Sequence, residues 1–270
     1  MINDKEMSIY YFSGTGNSLK LSLDIASNFS NVKLFKIEPT TKVAQSNSQM
    51  VGFIFPVYMG GLPNIVREFL ENYSFEKGIY YFSIGTYYAY KGCAMSIVNK
   101  IMSDNGVYLN YGNYLPSVGN CLKEYEVSQK KRVKILKQAE IYTQDIINDL
   151  KKGKEKKHLQ YCGLSDRLHK TLFNMLFSRS HLKFTLENNC LSCRICEKIC
   201  PVNNITLKDG VPQWGENCEA CHACVHWCPQ NAIHIGKSKG RLQYHNPAIK
   251  KTMLFNTKRT DILSSPNFIK

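Results

Sequence analysis

Eight of the eleven cysteines in this 270-residue chain fall between Cys190 and Cys228, in two runs of one form. The first is Cys190-x2-Cys193-x2-Cys196-x3-Cys200-Pro201, the second Cys218-x2-Cys221-x2-Cys224-x3-Cys228-Pro229. Thiolates are soft ligands, suited to zinc or to iron–sulfur cores. Structural zinc usually uses paired CxxC units, whereas two runs of four closing on Cys-Pro fit a pair of four-iron clusters. Three thiolates on one tight loop grip three irons of a cubane, and the loop cannot easily bend its fourth cysteine back. That cysteine then ligates the other cluster. The expected sets are Cys190, Cys193, Cys196 and Cys228 for one [4Fe–4S] cluster, and Cys218, Cys221, Cys224 and Cys200 for the other. Cys93, Cys121 and Cys162 stand alone in a long cysteine-poor segment, a distribution unlike a disulfide scaffold. Metal ligation in a reducing compartment is expected.

A second chemical signal is Ser13-Gly14-Thr15-Gly16-Asn17-Ser18. Small residues let backbone amides wrap a phosphate, the hydroxyls add donors, and a following helix N-terminus adds positive potential. A dinucleotide fingerprint would need Gly or Ala where Leu19 stands, and the Gly-Lys pair of a Walker loop is absent. Two later loops carry flat side chains. They are Pro56-Val57-Tyr58-Met59-Gly60-Gly61-Leu62-Pro63 and Thr86-Tyr87-Tyr88-Ala89-Tyr90-Lys91-Gly92, where an isoalloxazine ring would rest.

The elements that must position these loops follow from hydrophobic pattern. Strands are expected at 8–12, 32–37, 51–56, 79–85 and 107–115, and helices at 18–29, 64–73 and 94–104. Near-continuous apolar runs such as Val51-Gly52-Phe53-Ile54-Phe55 suit a sheet covered on both faces. The pattern predicts an α/β, doubly wound parallel sheet of five strands. A glycine–hydroxyl loop after the first strand, with a turn after the third, fits the switch point of the flavodoxin-like order 2-1-3-4-5. A long helix is expected over 124–151, with Val127, Ile135, Leu136, Ala139, Tyr142, Ile146 and Leu150 inward and Lys130, Lys131, Arg132, Lys134 and Lys137 mostly outward. The basic run 151–157 reads as a linker, and Ser165 as the N-cap of a helix reaching about Ser180. The divisions are 1–152, a linker with a connecting helix at 153–182, a small α+β cysteine-rich domain at 183–240, and a basic tail at 241–270. Trp214 and Trp227 are expected to pack over the small domain, and His222, His226 and His234 to take surface or tuning roles.

Tyr11-Phe12-Ser13-Gly14-Thr15-Gly16-Asn17-Ser18, the Pro56-Val57-Tyr58 loop and the tandem cysteine runs resemble flavodoxin-domain proteins fused to a bacterial two-cluster ferredoxin. Such fusions are known mainly from anaerobic bacteria and archaea. Arg241-Leu242-Gln243-Tyr244-His245-Asn246-Pro247 is similar to an ending common in that group. The resemblance implies FMN, two [4Fe–4S] clusters and electron transfer. It also implies FMN contacts from Ser13 to Ser18, Pro56 to Gly60, and Thr86, Tyr87, Tyr88 and Tyr90. The bulky third loop departs from the usual glycine-rich one. Its tyrosines pack on the flavin in the simpler reading; in the sharper one Tyr88, Tyr90 and Lys91 serve catalysis on a small acceptor.

Lys and Arg number 35 against 21 acids, a formal charge of +14. Eight thiolates around two four-iron cores would lower this to roughly +10, and a flavin phosphate to roughly +8. Much of the basic excess therefore needs no acidic partner. The tail from Lys237 carries eight basic residues against Asp261, yet no nucleic-acid-binding fold is recognisable, and no nucleic-acid partner is expected. No apolar run approaches the ~18 residues of a membrane span and no signal peptide opens the chain, so a cytoplasmic location is expected. The expected function is a carrier that couples one- and two-electron steps between redox proteins. The alternative is an FMN-dependent reductase that delivers hydride to a small organic acceptor.

Overall fold

The apolar runs of the first half become five parallel strands in the computed structural model, which describes residues 5–39, 41, 48–122, 124–156, 171 and 184–255. In chain order these are β1 (Met7–Tyr11), α1 (Asn17–Ala26), β2 (Val32–Lys36), β3 (Met50–Pro56), α2 (Asn64–Glu71), β4 (Tyr80–Tyr87), α3 (Ala94–Asp104) and β5 (Tyr111–Pro116). The sheet order is β2-β1-β3-β4-β5, the flavodoxin-like doubly wound order. Every residue of β1 is buried, as are all of β3 except Pro56, because helices cover both faces. Tyr10, Phe53, Phe69 and Tyr73 pack ring against ring at centroid distances of 5.0–6.4 Å, each pair worth about 0.5–1.5 kcal/mol beyond area burial.

Some expected boundaries shift for physical reasons. The fifth strand starts at Tyr111 rather than 107, because Asn110 turns its carboxamide Oδ1 onto the Tyr81 N–H and its carbonyl onto the Lys156 N–H. The long helix, α4 (Gln129–Lys151), starts after an extended Ser128. Residues 124–128 serve packing instead: Tyr125 lies 5.0 Å from Tyr88, and Val127 is buried. Of the basic residues expected outward on α4, Lys130, Lys131, Lys134 and Lys137 are exposed but Arg132 is buried. Its guanidinium finds three backbone carbonyls, which offsets the burial. Tyr142 also departs from its expected inward face and is exposed, since Thr143, Ile146, Ile147 and Leu150 form the buried stripe. Lys156 bridges to Tyr111 along the edge of β5. The helix expected over 165–180 lies outside the described residues.

The cysteine-rich half contains β6 (Phe184–Leu186), α5 (Ile195–Ile199), β7 (Ile205–Lys208), β8 (Val211–Trp214), α6 (Ala223–His226) and β9 (Ile233–Ile235). β6 pairs antiparallel with β9, and β7 with β8. Left-handed backbone recurs at a spacing of 28 residues. Ser192 (φ 52°) matches Ala220 (51°), Arg194 (61°) matches His222 (55°), and Asn203 (51°) matches Asn231 (50°). Such residues cost about 1–2 kcal/mol each outside glycine, so their repetition marks a backbone set by the cysteine spacing. After β9 the chain returns across the first half, burying Tyr244, Asn246, Ile249 and Leu254. The tail is therefore packed as far as the short 3-10 turn Lys251–Leu254.

Candidate functional site

The loops following β1, β3, β4 and β5 meet at one cavity of about 270 Å3. Ser13, Gly14, Thr15, Asn17, Ser18, Pro56, Val57, Tyr58, Met59, Gly60, Thr86, Tyr87, Tyr88 and Tyr90 all line it. Gly16 does not: it begins α1 in left-handed backbone (φ 94°), and a side chain there would meet Ile249 at 3.0 Å. Within the first loop, Ser13 Oγ accepts the Gly16 N–H at 3.1 Å and keeps its own hydrogen free to donate elsewhere. Ser18 Oγ lies 3.0 Å from Thr86 Oγ1, so the glycine–hydroxyl loop is joined to the end of β4. The β3 and β4 loops touch through glycine. A Cβ on Gly92 would lie 2.0 Å from the Gly60 carbonyl oxygen, which excludes any other residue.

Lys91 is not among the lining residues. Its ammonium lies over the rings of Tyr87 (5.1 Å) and Tyr114 (5.7 Å), a cation–π site. Sequence reasoning missed the fourth loop, Ser117 to Cys121 with Glu124 and Tyr125, and also Ala220 and His222 from the cysteine-rich half. The fourth loop carried a usable signal, since Ser117-Val118-Gly119-Asn120 follows the last strand. Nothing local marked the other two.

The cysteines sort into two hollows. Cys190, Cys193, Cys196 and Cys228 line one; Cys200, Cys218, Cys221 and Cys224 line the other. Each hollow thus combines three cysteines of one run with the last of the other. Among the described residues, no group of three or more His, Cys, Asp or Glu converges tightly enough to hold a metal ion. Backbone N–H groups point at sulfur: Asn204 to Cys200 (3.2 Å), Ala232 to Cys228 (3.3 Å) and Ala220 to Cys218 (3.4 Å). Burial pushes the Cys196 thiol up to about 11, and those of Cys221 and Cys224 well above the usual range.

The second hollow adjoins the cavity. His222 lines both, and a Cβ on Gly14 would stand 2.9 Å from the Cys221 carbonyl oxygen. The Trp227 indole donates to the Gly14 carbonyl at 3.0 Å. Glu219 accepts the Ile65 N–H at 3.1 Å, at the start of α2, and burial pushes its carboxyl up to about 7. His222, His226 and His234 are all buried, which removes the surface half of the surface or tuning roles expected of them. Burial pulls the His226 imidazole down to about 3. Being neutral, it donates from Nε2 to the Asn120 carbonyl (2.8 Å) and accepts the Tyr244 N–H at Nδ1 (3.0 Å). Trp214 packs within the small domain as expected, on Phe184 at 5.0 Å, whereas Trp227 packs away from it, on His245 of the tail at 4.2 Å and among the core of the first half.

No protein-family model matches the chain, and no curated protein matches it either. Solved structures do resemble about half of it. A flavoprotein in complex with FMN from Lactobacillus acidophilus NCFM is 14% identical over 41% of this chain and 93% of its own, with a TM-score of 0.34. The flavodoxin of Streptococcus pneumonia TIGR4 is 14% identical over 50% and 94%, at 0.36. The Trp repressor binding protein of Bacillus subtilis is 14% identical over 54% and 96%, at 0.39. With scores below 0.5, the fold is established by the sheet order and not by these likenesses. No helix among the described residues is long and apolar enough to cross a membrane.

Proposed function

We propose that this chain is an electron-transfer protein that holds one FMN among its strand-end loops and two [4Fe–4S] clusters on its cysteine runs. Its partners are low-potential redox proteins of an anaerobic cytoplasm. The observation that carries this reading is the sorting of eight cysteines into two crossed sets of four, one of which shares His222 with the cavity. When bound, FMN supplies one- or two-electron chemistry and each cluster supplies single electrons. The donor sets fit these groups. Residues 13–18 offer hydroxyls, amides and a helix start for the flavin phosphate, and Tyr58, Tyr87, Tyr88 and Tyr90 offer flat surfaces for its ring. Ala220 and His222 line the cavity on the side of the cysteine-rich half, and His222 also lines the second cysteine hollow.

A carrier is favoured over a small-molecule reductase by the position of Lys91. The side chain that would orient an anionic acceptor stacks on Tyr87 and Tyr114 instead of lining the cavity. Tyr88→Phe and Tyr90→Phe test this under anaerobic conditions. The carrier reading expects electron delivery to a protein acceptor to change less than about twofold. If either variant abolishes reduction of a small molecule that the parent turns over, a loss of ~10²–10⁴ typical of a missing proton donor, the chain is a reductase.

A further inference from the structure

The glycine–hydroxyl loop is gripped from behind by the segment that follows the cysteine-rich half. Tyr244 donates its hydroxyl to Asn17 Oδ1 at 2.6 Å, and Asn246 Nδ2 donates to the same oxygen at 3.2 Å. Asn17 Nδ2 in turn donates to the Val118 carbonyl at 3.1 Å, so the amide is fixed at both ends. The Asn246 N–H donates to the Thr15 carbonyl at 2.8 Å, and Ile249 and Asn246 cover Gly16. The segment is itself anchored. Arg132 donates to the carbonyls of Leu242 (2.8 Å) and Gln243 (2.7 Å) and lies 5.6 Å over the Tyr244 ring. Arg241 donates to the Leu122 carbonyl, and the Tyr244 N–H is held by His226. Neither Tyr244 nor Asn246 lines the cavity.

We propose that Tyr244 and Asn246 are positioning residues for the flavin phosphate: through Asn17 and Thr15 they lock residues 14–18 in the phosphate-binding shape, and so make the chain select a phosphorylated flavin over an unphosphorylated one. This rests on the FMN reading above. Amide donors bind phosphate well only when aimed together, and holding them so before binding removes an ordering cost. Both residues lie outside the first half, so phosphate selectivity belongs to the whole chain and not to the flavodoxin-like part alone.

The test is a titration of the anaerobically purified, apo-flavin full chain with FMN and separately with riboflavin, followed by flavin fluorescence. Tyr244→Phe keeps the ring and its place beneath Arg132 but removes the hydroxyl; Asn246→Ala is the second variant. Each should weaken FMN binding about five- to tenfold, the scale of one hydrogen bond. Riboflavin binding should stay within about twofold of the parent, with iron content and melting temperature showing that the fold persists. FMN affinity unchanged in both variants overturns the proposal, and so does an equal loss for both flavins. A parent chain that binds neither flavin removes the FMN reading itself, and the clamp with it.

Discussion

The two cysteine runs share a spacing, a pattern of left-handed residues and a short helix, yet the structure treats them oppositely. In the first set, Cys190, Cys193, Cys196 and Cys228, none is fully buried, Cys193 is exposed, and the neighbouring Leu191 is 64% exposed. In the second set Cys200, Cys221 and Cys224 are buried, and residues 219–222 press on α2, Gly14 and the cavity. Backbone geometry is thus encoded in the repeat, while burial is encoded between the cysteines. Arg194 stands where His222 stands 28 residues later, and Leu191 where Glu219 does. The outer set is the accessible one, and the inner set is the one next to the strand-end cavity.

The largest effect expected from this difference follows from removing single cysteines. Cys221→Ala should cost about half the iron and also lower FMN retention, because losing the inner thiolate set would loosen the segment 219–222 that packs closely on Gly14 and lines the cavity. Cys193→Ala should cost a similar share of iron and leave FMN in place. Cys200→Ala should behave like Cys218→Ala, although Cys200 belongs to the first run. Iron and flavin analysis with electron paramagnetic resonance reads all four. A Cys200→Ala variant that matches Cys190→Ala instead would show that the ligation is not crossed.

A smaller effect separates the left-handed positions between the cysteines. Arg194→Gly relieves a strained, exposed backbone position and should change stability by no more than about 1 kcal/mol, with the sign favouring the variant. His222→Gly relieves the same strain but deletes a buried ring whose Nδ1 lies 3.1 Å from the Asn120 carbonyl. The Asn120 carbonyl keeps its bond from His226, but the cavity left by the buried ring should cost about 1–3 kcal/mol, read as a lower melting temperature. Equal melting temperatures for the two variants would erase the distinction between an outer and an inner run.

Local chemistry explains what was legible in advance. The parallel sheet follows from apolar runs alternating with amphipathic ones, its order from the glycine–hydroxyl loop after the first strand, and the crossed cysteine sets from loop length. Fourteen of the fifteen residues expected to contact the cofactor line one cavity because they sit at the ends of adjacent parallel strands. What the sequence hid depends on contacts between distant segments. Arg132 reads as one more solvent-facing cation until carbonyls 110 residues away are seen to hold it. His226 reads as a surface group until Asn120 and Tyr244 close over it. Gly16 looks like a phosphate contact, yet its small size serves Ile249 and Asn246 behind the loop.

Cofactor analysis of the anaerobically purified chain bears most directly on the electron-transfer reading. The cysteine sets and the cavity predict about one FMN, eight iron and eight acid-labile sulfides per chain. Zinc in place of iron, or a preparation with no flavin, would contradict it.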